Sequence, residues 1–111
     1  MTLQQKLERI GTAIAEIVPN TYHYWRPQGQ APYAIWGEDG ETAALSAGNR
    51  KQEQAVSGYL DYYTKTEFDP VVDQIQAALN GFDFPFGWSY VSIDYEDDTN
   101  LIHHSWDWSV A

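Results

Sequence analysis

Three histidines are the side chains best suited to ligate a metal or to move a proton: His23, His103 and His104. Neighbouring residues on a strand point to opposite faces of the sheet, so His103 and His104 do not both ligate one metal from a regular strand. His104 alternates with tryptophans along the same segment. The pattern therefore disfavours a histidine metal site and favours His104 as a hydrogen-bonded core or interface residue.

Four acids near the carboxyl end are the second candidates for chemistry: Asp94, Glu96, Asp97 and Asp98. Asp94 and Glu96 share one face of a predicted strand, where paired carboxylates can act as general acid and base. The cluster lacks the spacing and the distal Glu of an EF-hand calcium loop. No G-x-S-x-G, H-E-x-x-H, P-loop or dinucleotide motif occurs. We therefore expect a solvated hairpin tip, and no motif in the sequence points to an enzyme.

The composition excludes further classes of function. The chain has 111 residues, which predicts a single domain over 1–111. Its formal net charge of -10 disfavours binding to nucleic acid or to anionic membrane. It has no Cys, which excludes disulfides, thiolate catalysis and zinc–thiolate sites. We expect neither a signal peptide nor a membrane span, which needs roughly 20 apolar residues.

Two segments have the periodicity and the caps of helices. Thr2 begins a capping box, and apolar residues at spacings of three and four predict a helix over residues 2–18. Asp69 suits an N-cap, and Pro70 suits the first helical position, which predicts a helix over residues 70–80.

The remaining segments favour strands and turns. The Asp-Gly pair in Glu38–Glu41 predicts a tight hairpin turn, and Gly48–Arg50 predicts another turn. Val91, Ile93 and Tyr95 are expected on one face of their strand. The predicted strands are Thr21–Trp25, Tyr33–Gly37, Thr42–Ala47, Gln52–Thr66, Trp88–Glu96 and Leu101–Val110. The order is α-β-β-β-β-α-β-β, an α+β fold with a mainly antiparallel sheet flanked by two helices.

Aromatic residues are abundant, with 5 Trp, 8 Tyr and 4 Phe. A disordered acidic chain would be poor in aromatics, so the protein is folded. The predicted long strand carries Tyr62 on one face and Tyr59 and Tyr63 on the other, and its length predicts that it curls or projects beyond the sheet. Because two short helices cover one face only, we expect part of the aromatic surface to be left for a partner.

Three stretches of the sequence carry a resemblance to a known family: PYAIWGEDGE, SAGNRKQEQAVSGYLDYYTKTEFDPVVDQIQAALN and SIDYEDDTNLIHHSWDWSV. The chain resembles, from about Thr21 to Val110, the tail-terminator (tail-completion) proteins of tailed phages and prophages of Gram-positive bacteria. The most specific part is Gly58–Leu79, in which a long strand leads into the Asp-Pro start of a helix.

The resemblance implies a small α/β protein without enzymatic activity, metal or cofactor. It implies a ring, expected to be a hexamer, that caps the tail tube and stops further addition of tube subunits. The implied partners are other copies of the chain, the major tail protein and the head connector protein. The implied location is the virion tail, and the host cytoplasm during assembly.

Two groups of residues are predicted to serve such an assembly. The expected contacts are the loop from Trp25 to Pro32, the Glu38–Glu41 hairpin and the strand around Tyr59–Tyr63, with Trp25, Tyr59 and Tyr63 as the named interface residues. A channel lined with acids repels the phosphates of DNA. The candidate acids for the rim or lumen are Glu38, Asp39, Glu41, Asp97 and Asp98.

Other interpretations stay open at this point. A neighbouring position in the virion, such as a head–tail joining protein or another minor tail protein, is compatible with the same sequence. A small-ligand or carbohydrate-binding module would use the aromatic surface as a stacking platform. An enzyme would use Asp94 and Glu96 as an acid–base pair, and this needs a raised pKa for one of them.

Overall fold

The computed structural model describes residues 1–26, 29–47 and 50–111, with side chains throughout these ranges except at 42–47 and 50–53. The α+β class is confirmed, because the described strands form one sheet in the order β1-β2-β3-β5-β4 and only β1 and β2 are parallel. The elements are α1 (Leu3–Ile17), β1 (Thr21–His23), β2 (Tyr33–Ala47), β3 (Arg50–Thr64), α2 (Pro70–Leu79), β4 (Phe86–Glu96) and β5 (Leu101–Val110).

Both predicted helices are confirmed, together with their caps. The Thr2 hydroxyl accepts a hydrogen bond from the Gln5 amide at 3.1 Å, and the Thr2 amide donates to the Gln5 side chain at 2.8 Å. Asp69 accepts from the Val71 amide at 2.9 Å, and Pro70 is the first residue of α2. These bonds satisfy amides that a helix leaves unpaired at its start.

The hairpin turn predicted at Glu38–Glu41 is wrong, because this segment lies inside the continuous strand β2. Strand β2 therefore replaces the two strands predicted over Tyr33–Gly37 and Thr42–Ala47. Three described strands, rather than the predicted four, lie between the helices along the chain. Register shifts between Glu38 and Gly40 mark a bulge, and Gly40 has φ +151°, which favours glycine. An Asp-Gly pair suits a bulge as well as a turn. Of the other predicted turn, Gly48 and Asn49 lie outside the described residues, and so do Pro27 and Gln28 of the predicted loop.

The long hairpin of β2 and β3 projects beyond the sheet, as the length of the predicted strand implied. Strand β5 pairs with β3 only from Val56 to Thr64. Beyond Val56, residues 43–47 of β2 and 50–55 of β3 pair with each other, and no other described strand pairs with them. We call these two segments the arm. The protein is accordingly elongated, with extents of 53 × 24 × 24 Å.

The core lies between the sheet and the two helices, which share one face of it. Leu7, Ile10 and Ile14 of α1 and Ile75 and Leu79 of α2 are buried. The strand residues buried against them are Ala34, Trp36, Leu60, Tyr62, Trp106, Trp108 and Val110. The strand predicted over Leu101–Val110 and its alternation are therefore confirmed.

Other strand predictions need correction: β3 ends at Thr64 rather than Thr66, and β4 begins at Phe86 rather than Trp88. Strand β1 ends at His23 rather than Trp25, because Tyr24 has φ 75° and leaves the extended conformation. On β4, a register shift between Tyr90 and Ser92 makes Val91 the extra residue of a bulge. Val91 is therefore out of phase with Ile93 and Tyr95, which pair opposite β5 residues of the helix-covered face.

Candidate assembly surface

The predicted rim acids lie in two separate places. Asp97 and Asp98 are exposed in the turn between β4 and β5, as predicted. Glu38, Asp39 and Glu41 lie along β2 near the base of the arm. The strand register puts the two groups at opposite ends of the sheet, at least about 25 Å apart by the rise per residue. The structure therefore does not bring them together into one acidic rim within a single copy.

The acids of β2 are engaged within the protein. Glu38 lies 2.8 Å from His23 Nε2, and it also accepts a hydrogen bond from the Tyr24 hydroxyl. The His23 ring stacks between Tyr24 and Trp36, with centroids at 3.9 and 4.1 Å. The hydrogen bond to Glu38 raises the pKa of Tyr24. These contacts hold Tyr24, the first residue after β1, against β2.

Asp39 and Glu41 continue along the same strand. The Ser57 hydroxyl donates to Asp39 at 2.8 Å, which ties the β2 bulge to β3. Glu41 is exposed. Their predicted role at a channel is not tested by these contacts and stays a prediction.

Two of the three predicted aromatic contacts are half-buried in the sheet. Tyr63 stacks on Tyr33 and on His103, with centroids at 4.7 and 4.2 Å. Burial raises the pKa of Tyr63 to about 12. Burial also raises the pKa of Tyr59, on the same face. Trp25 differs, because it is 70% exposed. An interface role for the three residues remains a prediction, with Trp25 the most accessible of them.

The histidines on β5 face opposite sides, as predicted. His103 lies 2.9 Å from Asp61 on the face away from the helices. His104 is buried, with its Nδ1 hydrogen-bonded to the Tyr90 hydroxyl, and burial lowers its pKa. Within the described residues, no three His, Asp or Glu side chains are grouped so as to hold a metal ion. Asp94 lies opposite His103 in the β4–β5 register and is exposed.

Sequence reasoning missed an apolar groove beside the outer strand of the sheet. Its floor is formed by Ile93 of β4 and Ile102 of β5, and its wall by Phe68, which precedes α2, and by Val72 in the first turn of α2. We call it the edge groove. It has a volume of about 450 Å³, and its other lining residues are Glu67, Asp69, Asp73 and His104.

Several large apolar side chains at the edge groove are exposed to solvent. Phe68 is 99% exposed and has φ 53°, an uncommon backbone conformation for a bulky residue. Ile93 is 60% exposed, and so is Tyr95, which lies two residues further along β4 and outside the groove lining. One local signal for Phe68 is present in the sequence. A residue just before an N-cap often packs on an apolar residue five positions later, but that position holds Asp73.

Neither described helix is long and apolar enough to cross a membrane.

Comparisons with known proteins give a likeness in structure alone. No family model matches the chain, and no curated protein matches its sequence. Among solved structures it is similar to a chain of "Virion of native gene transfer agent (GTA) particle", with a TM-score of 0.57 and 12% identity. The match covers 97% of this chain and 92% of that chain. The two chains share a fold.

Proposed function

We propose that this protein is a non-enzymatic structural component of a phage-like virion, and that it caps the tail tube as a ring. The observation that carries the proposal is the shared fold with a chain of a gene transfer agent virion, over 97% of this protein. The resemblance of the sequence to tail terminators supports the finer position in the particle. The proposed partners are other copies of the chain, the major tail protein and the head connector protein.

The surface of the protein supports assembly into a closed ring. A cyclic ring needs two different patches on each subunit, because each copy contacts the next in a head-to-tail manner. The arm and the edge groove are two such patches, and they lie on different strands of the sheet. A symmetric dimer would need only one self-complementary patch.

The charge of the protein supports a channel through which DNA passes. A net charge of -10 on each copy gives a ring a strongly negative field, which repels phosphate and keeps DNA from adhering. Asp97 and Asp98 are exposed at the turn between β4 and β5, and we propose that they contribute to this field. We propose a location in the virion tail, after assembly in the host cytoplasm.

Deletion of the gene from the phage or prophage that encodes the protein tests the proposal. Negative-stain microscopy of the particles is expected to show overlong tubes that are not joined to heads. Normal tails joined to heads would refute it and favour the ligand-binding alternative. Tails of normal length that stay separate from heads would place the protein at a head–tail joint instead.

A complementation series tests the acidic residues separately. The double variant Asp97→Lys with Asp98→Lys is expected to give particles that assemble but eject DNA less efficiently, because it adds positive charge at the turn. Its matched control is Glu8→Lys with Glu16→Lys, which makes the same change of charge on exposed positions of α1. Equal DNA ejection by both variants would remove these two acids from the channel.

A further inference from the structure

We propose that the arm of one copy docks along β4 of a second copy and covers its edge groove. The inference specifies the contact between copies and in that respect rests on the ring proposed above. It concerns residues other than the predicted contacts Tyr59 and Tyr63, which are half-buried within one copy.

The edge groove has the properties of an unoccupied binding surface. Phe68 and Ile93, which line the groove, are mostly exposed, and so is Tyr95, two residues further along β4, whereas scattered single exposures would need no explanation. Strand β4 is the last strand of the sheet, and no described strand pairs with its outer side. Its backbone N–H and C=O groups can therefore accept an added strand.

The arm, in turn, lacks a third strand that would stabilise it, among the residues that the structure describes. A two-stranded hairpin is marginally stable in water without a further strand or a packed surface. In the described residues, β1 pairs with β2 only at Ala34, Ile35 and Trp36, so the outer side of β2 is open along the arm. Docking on β4 gives the arm a third strand and an apolar floor, and it gives the groove a cover.

Its charge makes the arm a better match for the edge groove than other parts of a second copy. Arg50 and Lys51, two of the six cationic residues in the chain, lie in the arm sequence, with Glu53 as its one acid. The rim of the edge groove carries Glu67 and Asp73. A chain with a net charge of -10 repels its copies in general, so a contact between a cationic segment and an acidic rim sets the orientation.

The same charges argue against two copies pairing through β4 on each side. Such a symmetric contact, when centred on the edge groove, would place Glu67, Asp73 and Asp94 of one copy close to the same acids of the other, and like charges at an interface are unfavourable. The arm and the groove are different patches, so their contact repeats from copy to copy and closes into a ring or extends as a filament.

Cysteine cross-linking tests the contact, and the chain suits it because it has no Cys. The single variants are Ser46→Cys in the arm, and Ser92→Cys and Ile93→Cys, which lie on opposite faces of β4. Purified Ser46→Cys protein is mixed with each β4 variant and oxidised across a range of protein concentrations. In a second experiment, particles that carry both variants are oxidised in the same way. The matched control partner is Ser105→Cys, on β5, an interior strand of the sheet.

We expect a disulfide-linked heterodimer of Ser46→Cys with at least one β4 variant, in about tenfold excess over the control pair. Adding Phe68→Ala to the β4 partner should lower the yield by about tenfold, because a large apolar contact is lost. Equal yields with the control pair would overturn the proposal. So would β4 homodimers in excess of heterodimers, or the absence of heterodimers both in solution and in particles.

Charge exchange gives an independent readout. Arg50→Glu with Lys51→Glu should weaken cross-linking, and Glu67→Lys with Asp73→Lys in the partner should restore it, with folding of each variant checked by thermal unfolding. The absence of restoration would refute the charge pairing and thus the choice of the arm. If cross-linking fails while gene deletion still disrupts tails, the contact is wrong and the virion function stands. If cross-linking succeeds while particles form normally without the protein, the virion function is wrong.

Discussion

The covered region of the sheet and its outer edge contain the same types of residue in opposite environments. Beneath α1 and α2, the side chains of Trp106, Tyr62 and Leu60 are completely or almost completely buried. At the outer edge, Phe68, Ile93 and Tyr95 are mostly exposed. The difference shows that the high aromatic content serves two purposes. One group of residues stabilises the single copy, while the other adds little to its stability and is available for contacts.

The largest effect on stability is expected from Trp106→Ala in the covered region. Trp106 is fully buried, stacks on Tyr90 with centroids 5.0 Å apart, and donates a hydrogen bond to Gln76 at 3.2 Å. We expect the free energy of unfolding to fall by about 3–5 kcal/mol, measured by chemical denaturation. The matched control is Trp25→Ala, which should change it by less than about 0.5 kcal/mol. Similar losses for both tryptophans would contradict the division into two regions.

A smaller loss is expected from Asp69→Ala, at the boundary between the two regions. Asp69 accepts hydrogen bonds from the hydroxyls of Tyr62 and Thr64, each at 2.7 Å, and caps α2 through the Val71 amide. Removing the carboxylate leaves two hydroxyls without their partner and uncaps the helix. The expected loss is about 2–4 kcal/mol in denaturation, against less than about 0.5 kcal/mol for the exposed Asp73→Ala.

The pH dependence of stability separates the role of the Asp69 charge from its packing. Burial alone would raise the pKa of Asp69, but the hydrogen bonds from Tyr62, the Val71 amide and Thr64 outweigh it and lower the pKa below the ordinary 3.8. The resulting stability is complete above pH 3.8 and is lost as the pH falls through the lowered value. Asp69→Ala should lack this component of acid unfolding. If Asp69→Ala and the unchanged protein have the same acid-unfolding profile, the carboxylate contributes through packing alone.

The sequence predicts the covered region better than the edge, and the reason is physical. The caps at Thr2 and Asp69 and the alternation along β5 are local patterns, and each is confirmed. The continuity of β2 through Asp39 and Gly40 depends on pairing with a strand that follows it along the chain. The local Asp-Gly signal could not reveal that pairing.

The edge groove was missed for a related reason. It brings Phe68 together with Ile93, which is distant along the chain and belongs to a different element. Periodicity identifies the apolar faces of both segments, but it does not show where the cover of the helices ends. The bulge at Val91 adds to the difficulty, because it changes which β4 residues share a face.

A weaker effect than that of Asp69 is expected from protonation of His104. Burial lowers the pKa of His104 below the ordinary 6.5, the nearby Asp69 opposes this, and His103 contributes further lowering. The unfolded chain therefore binds this proton first, so stability is full above pH 6.5 and declines as the pH falls towards the lowered value. The slope is at most about 1.4 kcal/mol per pH unit for one proton. His104→Gln should flatten the profile of denaturation midpoints between pH 7 and 5, and an unchanged profile would assign the slope to other groups.

The smallest effect on the stability of one copy is expected from Phe68→Ala at the outer edge. The side chain is 99% exposed, so its removal uncovers almost no buried apolar area, and alanine has the same difficulty with φ 53° as phenylalanine. The free energy of unfolding should change by less than about 0.5 kcal/mol, measured on dilute protein by denaturation. A loss above 2 kcal/mol would mean that Phe68 packs within its own copy in solution, roughly the effect of burying one large apolar side chain. The contrast with Trp106 would then disappear, and with it the reason to regard the edge groove as a surface kept for a second copy.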